Sequence, residues 1–432
     1  MWEETFKRAM KLFNDKYYDD AARVAEKAVE QSEQEFGEDH ENTAKSLSLL
    51  GRALLDSGES DKAKDPLERC LNTVLKALGE RSTVAGLAMD NLACCLLSAE
   101  ELDPAEKMSR QAVEILEETL GLSDPELAVA LENLAAVLDK KGMMQEMAAA
   151  KRKALRVLEN AHGLDDRRVS SALQALADLY LKIGEPVEAT YLLERQVEQD
   201  MKSEDQEPSE TAMKLNVLAY AYREAGDLEK ADRSYKLALR MLEDEFGRSH
   251  PMVGEQLNNL GLFYLEEGAA AQAENAFNLA LEVTGEAFGD DSPNYSSVLA
   301  NLAEAKASQE KTAEATEILE KALDIRQRLL GKDKPETVEV MMSLGRVKAM
   351  EGSHEEAEDI FEKSFSILEK TLGPDHPGTG AALSNLGKSR AAMGRKEDAK
   401  ADMERALTIA ENAFGPDHPN TLSVREALKS II

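Results

Sequence analysis

Cysteine and tryptophan are scarce in this 432-residue chain and its bases are outnumbered by acids, and each shortfall excludes something. The three cysteines, Cys70, Cys94 and Cys95, contain no Cys-x-x-Cys pair and no even set for a stapled secreted domain, so reduced thiols are expected. Cys94 and Cys95 are adjacent in an apolar helical stretch with no base placed beside them, which reads as small packing residues rather than a nucleophile. No uninterrupted 18-residue apolar run occurs, which excludes a transmembrane helix. The start, Met1-Trp2-Glu3-Glu4-Thr5-Phe6-Lys7, lacks a basic region followed by an apolar stretch, so no secretory signal is visible and a cytoplasmic location is expected. Lys plus Arg number 52 against 83 Asp plus Glu, a net charge of −31 that repels phosphate backbones and anionic lipid. Nucleic acid and membrane are therefore not expected partners. Also missing are HExxH, the nucleophile elbow, the P-loop, GxGxxG and the EF-hand loop, so no catalytic residue, metal site or cofactor is expected.

What is present is a period. Leucine recurs every 42 residues, at 50, 92, 134, 176, 218, 260, 302, 344, 386 and 428, without insertion or deletion. A small residue follows it in nine copies, as in Gly51, Ala93 and Gly261, and an apolar residue stands three positions before, as in Leu47, Met89 and Leu257. That spacing is one face of an α-helix whose small side chain admits a close neighbour. Eight residues on comes Gly, with Glu100 and Glu310 as exceptions, and glycine there permits the left-handed conformation that ends a helix. A longer second helix follows, marked by alanines such as Ala63, Ala231 and Ala399, and closes on a bulky residue and Gly, as in Phe246-Gly247. Prolines such as Pro251 and Pro377 open the next first helix, and Asp124 and Ser292 read as N-caps. Neither helix can bury its stripe alone, so neighbouring units must stack into one core.

Leu-x-x-Leu-Gly/Ala, the turn glycine and the Ala then Ala-Leu of the second helix resemble the tetratricopeptide repeat. Leu257-Asn258-Asn259-Leu260-Gly261, Asn301-Leu302-Ala303 and Leu372-Gly373-Pro374-Asp375-His376-Pro377 resemble its kinesin light chain type. The resemblance implies an all-α, right-handed superhelical solenoid of about ten helix pairs plus a C-terminal capping helix. One domain over 1–432 is expected: a degenerate first repeat at 1–37, nine 42-residue repeats over 38–415 and a cap at 416–432. An irregular seam is expected near 198–210, where Asp205 replaces the glycine.

The resemblance also implies that first helices line a concave wall. At about 100° per residue, the positions just before and two after the core leucine point toward it. The first is Asn91, Asn133, Asn259, Asn301 and Asn385, with Leu49, Ala175 and Val217 interrupting; these amides could hold the main chain of an extended peptide or tie adjacent helices. The second position supplies Arg346 and Lys388, which with Asn385 form a candidate grip for a carboxylate, and Tyr220 and Leu262, a candidate apolar patch beside Asn216 and Asn258. Lys306, Lys348 and Arg390 lie only ~40° from the leucine, so their stems should pack and their charges snorkel. Four of six histidines, His40, His250, His376 and His418, share one inter-repeat slot and read as structural. The expected function is a non-enzymatic scaffold or adaptor binding an extended segment of another protein. The alternatives are a self-assembling solenoid, joined through ends that carry Trp2, Phe6, Ile431 and Ile432, or a regulatory subunit of a separate enzyme.

Overall fold

The computed structural model describes residues 1–203 and 207–431. Among them lie 21 α-helices and no strand. Contacts divide the chain into two compact units, one of Met1–Asp205 with Tyr220–Asp227, the other of Gln206–Ala219 with Leu228–Ile432. The expected seam residue, Asp205, falls outside the described residues.

In the first unit the pairs are α1 (Trp2–Asn14) with α2 (Tyr18–Phe36), α3 (Glu41–Asp56) with α4 (Ser60–Leu78), α5 (Thr83–Ser98) with α6 (Leu102–Leu120), α7 (Pro125–Lys140) with α8 (Met144–His162), and α9 (Arg167–Lys182) with α10 (Pro186–Lys202). α11 (Pro208–Glu224) is divided between the units. The second unit continues with α12 (Leu228–Phe246), α13 (Pro251–Glu266), α14 (Ala270–Phe288), α15 (Pro293–Ala307), α16 (Thr312–Leu329), α17 (Pro335–Met350), α18 (His354–Thr371), α19 (Pro377–Ala392), α20 (Lys396–Phe414) and α21 (Pro419–Ile431). Within each unit a helix packs on its successor, and first helices also touch the first helices of neighbouring repeats, as α3 does α5 and α17 does α19.

The repeated small residues mark where paired helices meet. Ala63, Ala105, Ala189, Ala231, Ala273, Ala315, Ala357 and Ala399, the alanines that open the second helices, are all 0% exposed. On the facing first helix, a glycine after the core leucine is matched by a large side chain. A Cβ at Gly261 would stand 2.5 Å from the Phe277 ring, and one at Gly345 would stand 2.6 Å from that of Phe361. The second-helix bulk occupies the volume that the first helix vacates.

The helix ends follow from the loop sequences. His40, His250, His376 and His418 each accept a backbone N–H two residues on through Nδ1, acting as N-caps. Three of these imidazoles stack on the aromatic that closes the preceding second helix, Phe36, Phe246 or Phe414, at 4.5 to 4.8 Å. Asp124 and Ser292 cap α7 and α15 as expected. Glu100 and Glu310, which replace the turn glycine, hold the left-handed conformation all the same, at φ 60° and 63°. The turn geometry is set by the stacking, and these two residues bear its strain.

The apolar residues expected at exposed ends are packed instead. Trp2 donates its indole N–H to Ser46 Oγ at 2.9 Å and lies between the rings of Phe6 and Phe36. Ile431 is buried against α20 residues such as Met403, while Ile432 lies outside the described residues.

Candidate functional site

The first-helix face is built from two positions per repeat, and tertiary packing divides them by role. Asparagine before the core leucine is half-buried in every copy. Asn133 Nδ2 donates to Asp90 Oδ2 at 2.8 Å, and Asn301 Nδ2 donates to Asn258 Oδ1 at 2.8 Å, each reaching the preceding first helix. Asn216 exchanges two hydrogen bonds with Gln256, at 2.7 and 2.8 Å, and Gln256 also donates to the Tyr235 carbonyl. Asn91, Asn259 and Asn385 make no side-chain hydrogen bond among the described residues. The asparagines are thus of two kinds: ties between repeats, and amides left facing solvent.

Asp90 was not marked by the sequence, because one carboxylate among 83 acids carries no signal. It is 6% exposed, and its Oδ1 has no hydrogen-bond partner among the described residues. Burial pushes its pKa up to about 6, against the lowering effect of the Asn133 amide and the Arg52 charge.

Two open slots lie on this face, one in each unit. The first, of about 230 Å³, sits between α3 and α5 over α4 and is walled by Phe6, Met10, Leu49, Val74 and Leu87, with Arg52 on its wall. Arg52 lies over the Phe13 ring at 4.8 Å. The second, of about 430 Å³, lies between α19 and α21 over α20 and is walled by Asn385, Lys388, Ser384, Phe414 and Val424. Leu49 and Asn385 occupy the same repeat position, as do Arg52 and Lys388, so the two slots are equivalent in register. Leu49 stands in this slot where Asn385 stands in the other, and the sequence carried no signal for the slot, since Ala175 and Val217 interrupt the asparagine pattern as well.

The expected carboxylate grip is only partly assembled. Asn385 and the exposed Lys388 share the second slot, whereas Arg346 lies one repeat back, 3.0 Å from Ser343 Oγ and 3.9 Å from Glu304. Tyr220 is exposed on α11 with the Arg223 guanidinium 5.0 Å from its ring, and Leu262 is half-buried on α13. Tyr220 belongs to the first unit and Leu262 to the second.

Lys306, Lys348 and Arg390 are turned away into ion pairs. Lys306 reaches Glu274 at 2.6 Å and Glu314 at 2.7 Å, and Arg390 reaches Glu358 and Asp402, both at 2.8 Å. Lys348 meets Glu351 at 3.3 Å. Where this position is tyrosine the same kind of tie forms by hydroxyl, Tyr264 donating to Asp232 at 2.6 Å. The Lys306 ammonium, through its hydrogen bond, holds Glu274 down at a pKa of about 2. Burial pushes the Cys70 and Cys94 thiols up to about 12, which leaves almost no thiolate at neutral pH. No helix among the described residues is long and apolar enough to cross a membrane.

A family model for the tetratricopeptide repeat matches residues 5–76, 210–283, 255–328, 296–370 and 336–411, together more than half of the chain, and a second one matches 87–126. Similar solved structures include a kinesin light chain-type protein of Podosopora anserina with nearly identical TPR-like repeats, 21% identical, covering 48% of this chain and 96% of that one at a TM-score of 0.42. BtubC (BKLC) from P. vanneervenii is 24% identical over 56% of this chain and 93% of its own, at a TM-score of 0.43. A tetratricopeptide repeat protein from Parabacteroides merdae is 20% identical over 70% and 98%, at 0.47. No curated protein matches the chain.

Proposed function

The chain belongs to the tetratricopeptide repeat family, and from that premise we propose that it is a scaffold or adaptor holding an extended peptide segment of a partner protein on its first-helix face. The observation that carries the reading is the pair of register-equivalent open slots, each formed by the positions before and after the core leucine. The first slot, apolar with a guanidinium stacked on Phe13, suits an aliphatic or aromatic side chain. The second, with the Asn385 amide and the Lys388 ammonium, suits a carboxylate or a peptide carbonyl. Asn91 and Asn259 add amides able to meet main-chain groups between anchors. No bond-making is asked of the site, and the cytoplasm is the compartment in which its buried thiols would stay reduced.

The test is capture of a partner by the full chain beside the double variant Asn385→Ala/Lys388→Glu, both in the second slot, with melting temperatures measured in parallel. Loss of the partner with unchanged melting supports the reading, and equal capture by both proteins overturns it for the second slot. The two kinds of asparagine should also separate. Asn259→Ala is expected to weaken binding without changing stability, whereas Asn301→Ala is expected to cost ~1 kcal/mol in a denaturant melt through loss of its tie. A head-to-tail assembly has less to recommend it, because Trp2 and Ile431 pack within their own unit.

A further inference from the structure

A second cleft lies on the other side of the first unit, where second helices meet. It is open, about 530 Å³, and formed by α8 and α10 over α9. Its floor is apolar, from Leu155, Leu176 and Leu192, all buried, and from the ring of Tyr180. Its rim is aromatic and cationic: Tyr191 and Val187 are 62% and 63% exposed, Arg152 lies over Tyr180 at 5.6 Å, and Arg195 lies over Tyr191 at 5.9 Å. Glu159 is engaged by Arg195, and Glu188 stands on the wall. Neither Arg152 nor Arg156 is ion-paired among the described residues.

The repeat itself supplies the contrast. Where Tyr191 stands, other repeats carry Asp65, Arg233 and Asp359; where Val187 stands, they carry Asp103, Glu229 and Glu397. The position of Arg152 is Glu68, Glu320 and Glu404 in some repeats but Arg110 and Lys236 in others, and that of Arg156 is Glu114, Glu198 and Glu282 but also Arg240. Stacking of helices does not require the combination, since no other repeat joins two basic residues at these positions to a Tyr and a Val on the next second helix. In a chain of net charge −31, an apolar cleft that carries two guanidiniums, Arg152 and Arg156, without ion-pair partners among the described residues is a local inversion of both polarity and sign.

We infer that this second-helix cleft is a separate docking site for an acidic peptide segment of a partner protein, which seats one bulky apolar side chain between Tyr180 and Tyr191 and sets flanking carboxylates against Arg152 and Arg156. Charge complementarity selects the occupant: Asp or Glu beside the anchor meets planar guanidiniums capable of bidentate contact. A second copy of the chain, carrying its own acidic surface, and a phosphate-bearing polymer are the competing occupants.

The experiment selects a random-peptide display library against the full chain and measures the recovered peptides by fluorescence anisotropy. Expected are sequences with Asp or Glu around a Leu, Phe or Tyr, weakened at least tenfold by Arg152→Glu/Arg156→Glu and by Tyr191→Ser, and weakened also by raising salt. Lys388→Glu should leave them unchanged, which separates this site from the first-helix face. All substituted side chains are exposed, and equal melting temperatures confirm that the variants fold; Val187→Ser serves as a second apolar probe. A library that yields no peptide weakened by the cleft variants, or whose cleft-dependent peptides are basic or uncharged, overturns the proposal. A dimer by sedimentation that Tyr191→Ser dissolves, or tighter binding of a labelled oligonucleotide than of any acidic peptide, overturns it in favour of the competing occupants.

Discussion

Among single residues, Asp90 stands out as a carboxylate placed where ionisation is costly. Its folded pKa of about 6 lies above the ordinary carboxylate value of 3.8, so the folded state favours the protonated form. The penalty for ionising it in place is absent below the unfolded pKa, grows as pH rises toward 6, and is complete above it. Asp90→Asn removes that penalty while keeping an oxygen for Asn133, so it should stabilise the protein by ~2–3 kcal/mol at pH 7 and by little at pH 4. Chemical denaturation of both proteins at the two pH values checks this. An equal difference at both would show that the carboxyl is solvated. The same local view explains the repeated histidine: its imidazole is both cap and stacking partner, which leaves it structural.

The helix is stabilised here by its neighbours more than by itself. A first helix gains an apolar contact from its own second helix, through matches such as Gly261 with Phe277, and a polar tie from the preceding repeat. The Arg390 tie is the densest of these, a guanidinium shared by Glu358, Glu362 and Asp402 while 17% exposed. Arg390→Met keeps the stem's packing but leaves the shielded Asp402 without its partner and Glu358 with Arg395 alone, so a loss of ~2 kcal/mol is expected, and Arg390→Lys should recover only part because one ammonium cannot serve three acids. Urea midpoints of the three proteins decide it; a neutral Arg390→Met would mean that water already solvates Asp402.

For the molecule as a whole, the surplus of 83 acids over 52 bases acts on every repeat at once. Exposed like charges on stacked helices repel across ~10 Å, whereas the ties at Lys306 and Arg390 are shielded from solvent and feel salt less. The melting temperature should therefore rise between ~10 and ~150 mM NaCl, as the Debye length falls from ~30 to ~8 Å. A fall, read by circular dichroism, would show that exposed ion pairs outweigh the repulsion. The period of 42 residues, the order of the helices and the caps Asp124 and Ser292 could be read from the sequence, because each depends on neighbours at fixed spacing along the chain, whereas the capping role of the four loop histidines could not. Tertiary structure alone decided which asparagines are ties and which face solvent, and that Asn385 and Lys388 share a slot whose lining does not include Arg346. It also decided that Asp90 is buried and where clefts stay open. Those properties depend on side-chain volumes and partners that meet across helices from different repeats, and a repeat read one copy at a time does not contain them.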